Sequence, residues 1–566
     1  MANKQRVKGG EALLMSLIAE GAEVIFGYPG GQVIPIYDHL YDYRDKIKHI
    51  LTRHEQGAVH AAQGYSRATG KVGVCFSTSG PGATNLLTGI ADAMLDSTPI
   101  VCITGQVPAG ILGTDAFQEA DIISMSMPIT KWNYQVTSPN EIAGAIAKAF
   151  FIARSGRPGP VLVDITKDAQ VGEADFAYRP CAGLRSYEPH PTLDTEAAAR
   201  AVEMINASEK PLILAGQGVK LAGAEAALAE FAEIGNIPVG TTLMGISAIA
   251  SGHPLFVGNL GMHGNVAANE MTQNSDLIIA VGMRFSDRVT GDVTSYAPGA
   301  RIVHIDIDNS ELGKNLRVDL PIHADAKDAL EAFRKGLEYK ERKDWFAFAK
   351  EKWEMEKEKV VDRTVCAKGD FVTMGQAVQT LADVVKGDAI IVTDVGQNQM
   401  FGARYSRFNS SRSFITSGGL GTMGFGLPAA MGAKVGVPER QVVAVMGDGG
   451  FQMTIQELGT IMQNKIGVKM LLLNNTHLGM VRQWQQLFFN ERYSFTSLEN
   501  PDFPAIAKAY GIPSRRVTDL CDLEGAIREM VEAEGAYLLE VAVLPMENVF
   551  PMMPAGASLS KILYND

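Results

Sequence analysis

The sequence is poor in the features that mark secreted, membrane-embedded or nucleic-acid-binding proteins. It has only five cysteines among 566 residues, scattered without CxxC or metal-ligand spacing, which argues against a disulfide scaffold and suits a reducing cytosol. It has no run of about 18 apolar residues and no apolar signal core near its N-terminus, so we expect a cytoplasmic protein without a membrane span. Acidic residues outnumber basic ones, 63 to 51, and the net charge of −12 argues against nucleic acid or an anionic membrane as a partner.

What the sequence does contain is typical of a large α/β enzyme. Apolar residues make up 46% of the chain, and the 58 glycines suit many tight turns between strands and helices. Strand-like runs alternate with helical periodicity, which predicts three doubly wound, Rossmann- or flavodoxin-like domains with mostly parallel sheets. They are predicted at 1–178, 192–335 and 368–545, and a tail at 546–566 is expected to be disordered or to form a lid. A charged helix over Glu341–Arg363 is predicted to connect the second and third domains through one buried face.

One stretch of the third predicted domain places polar groups at two neighbouring strand ends. It is predicted to contain a strand at Val442–Met446, the turn Gly447-Asp448-Gly449, a helix over Met453–Gln463, a second strand at Val468–Leu473 and the amide pair Asn474-Asn475. The glycines let backbone N–H groups approach a ligand, and the helix N-terminus beside them favours a phosphate. Asp448 and Asn475 add hard oxygens that suit Mg²⁺ bound to a diphosphate. An ordinary turn with a surface aspartate would explain Gly-Asp-Gly alone, but not the amide pair on the next strand.

A second glycine motif has the form of a dinucleotide fingerprint but is interpreted differently. Gly419-Leu-Gly421-Thr-Met-Gly424 matches GxGxxG between a strand and a helix, and Asp448 stands 24 residues further on. A fingerprint acid would bind a ribose hydroxyl, whereas Asp448 is already assigned to a metal. The glycines therefore predict a backbone that passes close to a flat ring, with Met423 as an apolar wedge against it. A core methionine is the commoner alternative.

The Gly-Asp-Gly turn together with the amide pair resembles the motif of thiamine diphosphate (ThDP) enzymes. This resemblance gives a function to Glu55, which stands in Arg53-His54-Glu55-Gln56 and would otherwise be interpreted as a solvated residue at a helix start. The aminopyrimidine ring of the cofactor needs a carboxyl group at one ring nitrogen before the thiazolium carbon can lose its proton. Such acid–base assistance typically accelerates a reaction ~10²–10⁴-fold.

Further motifs extend the likeness over nearly the whole chain. They are Arg53-His54-Glu55-Gln56, Ser79-Gly80-Pro81-Gly82, Thr114-Asp115-Ala116-Phe117-Gln118-Glu119, Arg284-Phe285-Ser286-Asp287-Arg288-Val289-Thr290-Gly291, Gly418–Gly426, Gly447-Asp448-Gly449 and Leu473–Met480 with Trp484. Together they resemble the catalytic large subunits of acetohydroxyacid synthase, also called acetolactate synthase. The resemblance implies pyrimidine-binding, central and diphosphate-binding domains, with ThDP between the first domain of one subunit and the third domain of another. A homodimer or homotetramer is therefore expected, and a small regulatory subunit is left open as a further partner.

The resemblance also assigns roles to individual residues. It implies a Mg²⁺ ion bound by Asp448, Asn475 and the backbone carbonyl of His477. Contacts to ThDP are implied for Glu55, Gln397, Gly421, Met423, Gly447, Asp448, Gly449, Asn475, Gly479 and Met480. Catalytic roles beside Glu55 fall on Gln118 and Lys167, and substrate contacts fall on Phe117, Arg288 and Trp484. An arginine can bind a carboxylate bidentately and an indole offers apolar area for an ethyl group, although a surface ion pair and a packed tryptophan are the ordinary alternatives.

A flavin is implied only by the resemblance, because the residues themselves give a weak signal. The family carries FAD in the central domain without redox turnover. The residues implied to line its site are Arg157, Gly216, Gly218, His263, Gly264, Arg284, Asp306 and Asp325. One departure concerns Ser286, because biosynthetic members usually carry two acids between Phe285 and Arg288, and here only Asp287 is acidic.

The resulting hypothesis is a ThDP-dependent carboligase. It would decarboxylate pyruvate and join the two-carbon unit to a second 2-oxoacid, giving 2-acetolactate or 2-aceto-2-hydroxybutyrate for branched-chain amino acid biosynthesis. The alternatives are an FAD- and ThDP-dependent pyruvate oxidase, a catabolic acetolactate synthase without FAD, and a non-catalytic nucleotide-binding or scaffold protein. Arg288 and Trp484 argue against the oxidase, and the intact set of Glu55, Asp448 and Asn475 argues against a scaffold.

Overall fold

The computed structural model describes residues 5–369 and 371–565, which form three domains, each built around one parallel six-stranded sheet. Each of the three predicted ranges contains one of the six-stranded sheets, so the predicted fold class is confirmed, while the positions of the domain boundaries stay predictions. An additional antiparallel pair joins Gln5–Lys8 to Glu173–Phe176. None of the helices in the described ranges is long and apolar enough to cross a membrane.

The sheet of the first domain is covered by helices on both faces. In spatial order its strands are Lys48–Leu51, Val24–Gly27, Gly73–Ser77, Ile100–Gln106, Pro160–Thr166 and Trp132–Val136. Its helices are Gly9–Ala19, Ile34–Asp42, Glu55–Thr69, Pro81–Thr84, Leu87–Leu95, Ile122–Ser126, Ile142–Arg154 and Lys167–Val171, with 3₁₀ turns at Ala109–Ile111, Met127–Ile129 and Pro139–Glu141. Its third, fourth and sixth strands along the chain are buried throughout, as expected for continuous apolar runs in a parallel sheet.

The sheet of the third domain repeats the topology of the first. In spatial order its strands are Phe414–Ile415, Ile390–Thr393, Val442–Gly447, Lys469–Asn474, Tyr537–Ala542 and Ser514–Val517. Its helices are Met374–Val385, Gln397–Tyr405, Gly426–Gly436, Asp448–Met453, Leu458–Asn464, Gly479–Phe488, Phe503–Ala509 and Leu520–Glu532, with a 3₁₀ turn at Ile455–Glu457. Numbered along the chain, both sheets have the order 2-1-3-4-6-5. In both, the order in which the chain adds strands reverses between strands 1 and 3, which is the topological switch point of the sheet.

The central domain has a different order, 3-2-1-4-5-6, which is that of dinucleotide-binding folds. In spatial order its strands are Phe256–Asn259, Val239–Thr241, Pro211–Ala215, Leu277–Val281, Arg301–Asp306 and Leu320–His323. Its helices are Thr195–Ala207, Gln217–Leu221, Glu225–Gly235, Val266–Asn274, Asp287–Thr290 and Ala326–Phe333, with 3₁₀ turns at Leu243–Gly245 and Arg334–Gly336. A ligand is expected where strands 1 and 4 diverge, at their carboxyl ends.

The connecting helix and the tail both pack against the domains. The helix runs over Lys343–Glu356, continues as a π-helical segment at Lys357–Val361 and ends with Asp362–Val365, so it begins and ends two residues later than predicted and is less regular. Its buried face includes Trp345, whose Nε1 donates to the carbonyl of Pro211. The described part of the tail is packed, with Val549, Met552, Met553 and Leu559 buried and the Met553 N–H donating to the carbonyl of Met262 at 2.8 Å. Its role as a lid stays a prediction.

The first and third domains touch through two closely packed helices, Glu55–Thr69 and Gly426–Gly436. A Cβ atom at Gly64 would lie 1.9 Å from the carbonyl oxygen of Ala429, and one at Gly432 would lie 1.9 Å from the carbonyl oxygen of Ala61. Only glycine allows this backbone contact. One helix begins at Glu55 and the other follows the Gly418–Gly426 loop, so the contact sets the relative position of two predicted site segments.

A buried lysine lies near the junction of the three domains and predicts a pH dependence of stability. Burial, with nearby Arg67 and Arg412, lowers the pKa of Lys220 to about 7, despite Glu225 and Asp96, and its Nζ donates to the carbonyl of Ile246. Between pH 10 and pH 7 the unfolded chain binds a proton at this lysine and the folded chain does not, so its contribution to stability falls as the pH falls, by at most about 1.4 kcal/mol per pH unit. Relative to wild type, we expect the melting temperature of Lys220→Met to rise as the pH is lowered over this range. A pH-independent difference in thermal melts would contradict the assignment.

Candidate active site

Nine of the residues implied to bind ThDP or its metal lie around one cleft at the topological switch of the third domain. The cleft lies where Ile390–Thr393 and Val442–Gly447 diverge, which is where open α/β sheets bind ligands. The residues are Gln397, Met423, Gly447, Asp448, Gly449, Asn475, His477, Gly479 and Met480. The structure therefore brings together residues from four separate turns, and their binding roles stay predictions.

Asp448 and Asn475 are both buried and held by neighbouring amides. Burial raises the pKa of Asp448 to about 6, although Asn500 donates its Nδ2 to the carboxylate at 2.6 Å. Asn475 donates its Nδ2 to Gln397 Oε1 at 3.1 Å and accepts the His477 N–H at its Oδ1. The carboxylate oxygens of Asp448 and the amide oxygen of Asn475 are hard ligands, which fit Mg²⁺. The described residues contain no group of three or more His, Cys, Asp or Glu side chains able to hold a metal, so a metal here would also need amide, backbone or phosphate oxygens.

The glycine loop Gly418–Gly426 is held by carboxylates. Asp394 accepts the N–H groups of Gly424 at 3.1 Å and Gly426 at 2.8 Å, and burial raises the pKa of Asp394 to about 6. Asp96 of the first domain accepts the N–H groups of Gly418 at 3.0 Å and Gly419 at 2.7 Å. Backbone N–H groups already paired with carboxylates are not free for a pyrophosphate, which supports the interpretation that this motif is not a dinucleotide fingerprint.

The predicted catalytic residues of the first domain do not line this cleft within one chain. Glu55 begins the helix Glu55–Thr69, is nearly buried, and accepts the Asn85 Nδ2 at 3.0 Å. Gln118 has a φ of 59° and follows Phe117, whose side chain is 85% exposed. Lys167 lies at the start of another helix, with its Nζ 3.4 Å from the carbonyl of Gly31. That this domain serves a cleft on a second subunit stays a prediction.

A cavity of ≈ 860 Å³ lies between the domains, at the switch point of the central sheet. Eleven predicted residues line it, namely Arg157, Gly218, His263, Gly264, Arg284, Arg288, Asp306, Asp325, Gly421, Met480 and Trp484. Gly216 is not among its lining residues. A Cβ atom at Gly216 would lie 2.1 Å from the carbonyl oxygen of Gly282, so backbone packing explains this glycine.

Charged groups of this cavity are already positioned by protein contacts. Arg157 donates to Asp308 at 3.2 Å and to Glu311 at 2.7 Å, while Oε2 of Glu311 is buried without a hydrogen-bond partner among the described residues. Burial raises the pKa of Asp306 to about 7. Burial and two nearby arginines lower the pKa of His263 to about 3, so this imidazole is neutral at pH 7. An unpaired carboxylate oxygen and a partly protonated acid at a strand end fit a polar ligand such as a dinucleotide.

The two predicted acceptor-binding residues line the same cavity. The Arg288 guanidinium is exposed and pairs with the adjacent Asp287 at 2.8 Å. Trp484 lies on the helix Gly479–Phe488, with its ring centroid 5.2 Å from that of Phe488. It also packs against the cluster that contains Met552 and Met553 of the tail. A positive charge and an apolar ring therefore line one cavity, and this cavity shares Met480 with the cleft predicted to bind ThDP.

Four polar residues around the site were not predicted from the sequence. Asn500 orients Asp448, Asn85 orients Glu55, and Asp394 and Asp96 hold the glycine loop. Asp394 directly follows the buried strand Ile390–Thr393. It could have been found in the same way as Asp448, as a polar residue at the end of a predicted parallel strand. The two asparagines follow no such pattern, because their roles depend on contacts made after folding.

Comparison with known proteins agrees with this geometry. The chain matches the thiamine pyrophosphate enzyme N-terminal TPP binding domain over residues 7–125, the central domain over 198–333 and the C-terminal TPP binding domain over 394–541. It is 46% identical to a probable acetolactate synthase large subunit of Methanocaldococcus jannaschii, covering 98% of this chain and 95% of the relative. It is 46% identical to the acetolactate synthase large subunit of Corynebacterium glutamicum, covering 100% and 91%. It is 44% identical to the acetolactate synthase isozyme 2 large subunit of Escherichia coli, covering 98% and 99%.

The predicted resemblance is therefore confirmed over almost the full length of the chain. Each matched segment overlaps one of the three parallel sheets, and the third contains all nine predicted residues of the cleft, from Gln397 to Met480. The chain belongs to the thiamine pyrophosphate enzyme family, among its acetolactate synthase large subunits.

Proposed function

We propose that this chain is an acetolactate synthase. It decarboxylates pyruvate and transfers the two-carbon unit to a second 2-oxoacid, which yields 2-acetolactate from pyruvate or 2-aceto-2-hydroxybutyrate from 2-oxobutyrate. These products serve branched-chain amino acid biosynthesis. The observation that carries the proposal is the cleft at the third-domain switch point, where Gly447, Gly449, Asp448 and Asn475 meet.

This cleft fits the diphosphate end of ThDP. Backbone N–H groups at Gly447 and Gly449 and the start of the helix Asp448–Met453 favour a phosphate. Asp448, Asn475 and the carbonyl of His477 would hold Mg²⁺, and Met423 would pack against the rings. When bound, ThDP supplies the carbon nucleophile and the electron sink that decarboxylation of a 2-oxoacid requires.

The first domain supplies the groups that act on the other end of the cofactor. Glu55 would hold a proton at the aminopyrimidine ring, and its near-complete burial and its bond from Asn85 fix the carboxyl group for this task. Gln118 and Lys167 would orient the substrate, and the exposed Phe117 would reach into the site of a second subunit. A homodimer is the smallest assembly that places these residues and the cleft together, and a small regulatory subunit is proposed as a further partner.

The large cavity fits FAD, which we propose as a second, non-redox cofactor. The central sheet order, the arginine pair Arg157 and Arg284, and the acids Asp306 and Glu311 suit a dinucleotide. Ser286 removes one acid from the usual family pattern without removing Asp287 or Arg288. A flavin absorption band in purified protein would support this part, and protein active without flavin would instead indicate the FAD-free catabolic type.

The acceptor site is proposed between Arg288 and Trp484. The guanidinium would bind the carboxylate of the second 2-oxoacid, and the indole would contact its alkyl group. One methylene in an apolar pocket is worth roughly 1–3 kcal/mol, which corresponds to roughly a 10–200-fold preference.

Trp484→Leu is therefore expected to reduce the preference for 2-oxobutyrate over pyruvate on the order of 10-fold, because the ethyl group loses the indole surface. The measurement is the ratio of the two products when both 2-oxoacids compete. Phe489→Leu is the matched control, since Phe489 directly follows the same helix, is exposed and lines neither the cavity nor the cleft, so it should leave the ratio unchanged. An unchanged product ratio in Trp484→Leu would remove the tryptophan from the acceptor site.

Stoichiometry tests the proposed reaction. Purified chain with ThDP, Mg²⁺, FAD and pyruvate should consume two pyruvate molecules for each CO₂ and each acetolactate, without oxygen uptake. Acetate formed with consumption of oxygen or a quinone would indicate a pyruvate oxidase instead. Failure to bind ThDP and Mg²⁺ would indicate a non-catalytic protein on this fold.

A further inference from the structure

A buried glutamate outside the proposed reaction joins the third domain to the segment that carries Glu55. Glu457 ends the 3₁₀ turn Ile455–Glu457, just after the helix that begins at Asp448, and its side chain has no solvent exposure. Although it belongs to the third domain, its carboxylate reaches the first domain.

The contacts of Glu457 fall on the backbone immediately before Glu55. Its Oε1 and Oε2 lie 3.1 and 3.2 Å from the donating N–H of Arg53, and Thr460 Oγ1 donates to Oε2 at 2.6 Å. Arg53 is itself clamped to the third domain, since its Nη2 donates to the carbonyl of Gly459 at 3.2 Å and to Gln463 Oε1 at 2.7 Å. Contacts from the third domain therefore hold the backbone that leads into the helix Glu55–Thr69.

A glycine on the other side of Glu55 makes room for this carboxylate. A Cβ atom at Gly57 would lie 2.3 Å from Oε1 of Glu457. In a helix alanine is favoured over glycine by about 1 kcal/mol, so the absence of a side chain here has a packing cause. Glu457 thus touches the backbone two residues before and two residues after Glu55.

The position of Glu457 also suits a carboxylate electrostatically. It lies at the N-terminus of a 15-residue helix, where a negative charge is favoured. Burial raises the pKa of Glu457 to about 7, while bonds from Thr460 and from the backbone N–H groups of Arg53 and His54 oppose the rise. Fixing a reacting group matters because a displacement of about 1 Å can reduce a rate about 10²-fold.

We propose that Glu457 is a positioning residue for Glu55, fixing the backbone at residues 53–57 so that the Glu55 carboxyl group meets the cofactor. The proposal rests on the proposed function, in which Glu55 acts on ThDP. A purely structural role would instead stabilise the interface of the two domains without a specific effect on turnover.

The test combines three variants with two readouts. Glu457→Leu removes the acceptor, Glu457→Gln keeps one acceptor oxygen, and Gly57→Ala displaces the carboxylate. In the cofactor-free protein, amide hydrogen exchange at residues 53–57 should accelerate in Glu457→Leu and Gly57→Ala and return towards wild type in Glu457→Gln. In the loaded protein, kcat should fall about 10- to 100-fold in the first two variants and largely recover in Glu457→Gln, with KM for pyruvate and affinity for ThDP within about two-fold of wild type.

Gly144→Ala is the control for the glycine change, because Gly144 lies in the helix Ile142–Arg154 with open space around its Cβ position. It should change neither readout. The proposal is overturned if kcat stays at the wild-type value in Glu457→Leu, or if kcat falls together with ThDP affinity and with exchange protection throughout both domains. A wild-type protein that makes no acetolactate refutes the proposed function itself, whereas active wild type with an equally active Glu457→Leu refutes only the role of Glu457.

Discussion

Glu55→Gln is expected to lower the kcat for acetolactate formation by about 10²–10⁴-fold while leaving the fold intact. Glutamine has the same shape and can still accept the bond that Asn85 donates, but it cannot hold or release a proton at the aminopyrimidine ring. The measurement is steady-state acetolactate formation at saturating ThDP, Mg²⁺ and pyruvate, with thermal melts to confirm folding.

Glu196→Gln is the matched control. Glu196 also lies in the first turn of a helix, Thr195–Ala207, but it is exposed and lines neither cleft. Its replacement should leave kcat unchanged. If Glu55→Gln turned over at nearly the wild-type rate, the assignment of Glu55 would be wrong.

Asp448→Asn is expected to weaken Mg²⁺-dependent binding of ThDP by at least 10–100-fold. Changes to groups that merely orient a metal ligand typically reduce metal affinity by this factor, and Asp448 is proposed as a ligand itself. Asparagine can still accept the bond from Asn500, so the substitution removes the charge with little change in packing. ThDP binding is measured by calorimetric titration at several Mg²⁺ concentrations.

Asp522→Asn provides the comparison for this substitution, because Asp522 is an exposed residue in the first turn of Leu520–Glu532, on the same domain. It should bind ThDP as wild type does. Flavin content should be unchanged in both variants, since Asp448 does not line the large cavity. Equal ThDP affinity and Mg²⁺ requirement in Asp448→Asn and wild type would contradict the proposed metal site.

The parts of the fold that follow from local sequence were predictable. Strands such as Leu277–Val281 are buried on both faces, and a continuous apolar run identifies them. The edge strands Trp132–Val136 and Ser514–Val517 are not predictable in this way, because they are partly exposed and carry polar residues. Their pairing depends on neighbouring strands that the local pattern does not specify.

The helix after the Gly-Asp-Gly turn shows a second limit of local patterns. It was predicted over Met453–Gln463, and this prediction is wrong in its start and continuity. The helix begins at Asp448, whose charge suits a helix N-terminus, and ends at Met453. Thr454 interrupts it with a φ of −133° and donates its hydroxyl to the carbonyl of Gly424, a contact with the distant glycine loop. A second helix follows at Leu458–Asn464.

The candidate site likewise contains residues that local sequence predicts and residues that it does not. Residues at strand ends, such as Asp448 and Asn475, were predictable because the carboxyl ends of neighbouring parallel strands meet at one edge of the sheet. Asn500, which orients Asp448 from 52 residues away, and Asp96, which holds the glycine loop from another domain, were not. Their function arises from tertiary contacts, and neither stands in a pattern that marks it in the sequence.

Product analysis with pyruvate labelled with ¹³C at its carbonyl carbon tests the central claim most directly. With the purified full chain, ThDP, Mg²⁺ and FAD, the two labelled carbons of two pyruvate molecules should appear directly bonded in one acetolactate, and ¹³C NMR detects this as coupling between them. One unlabelled CO₂ should be released for each acetolactate. Labelled acetate or acetaldehyde as the main product, or no conversion by protein that binds ThDP, would contradict the claim that this chain joins two 2-oxoacids.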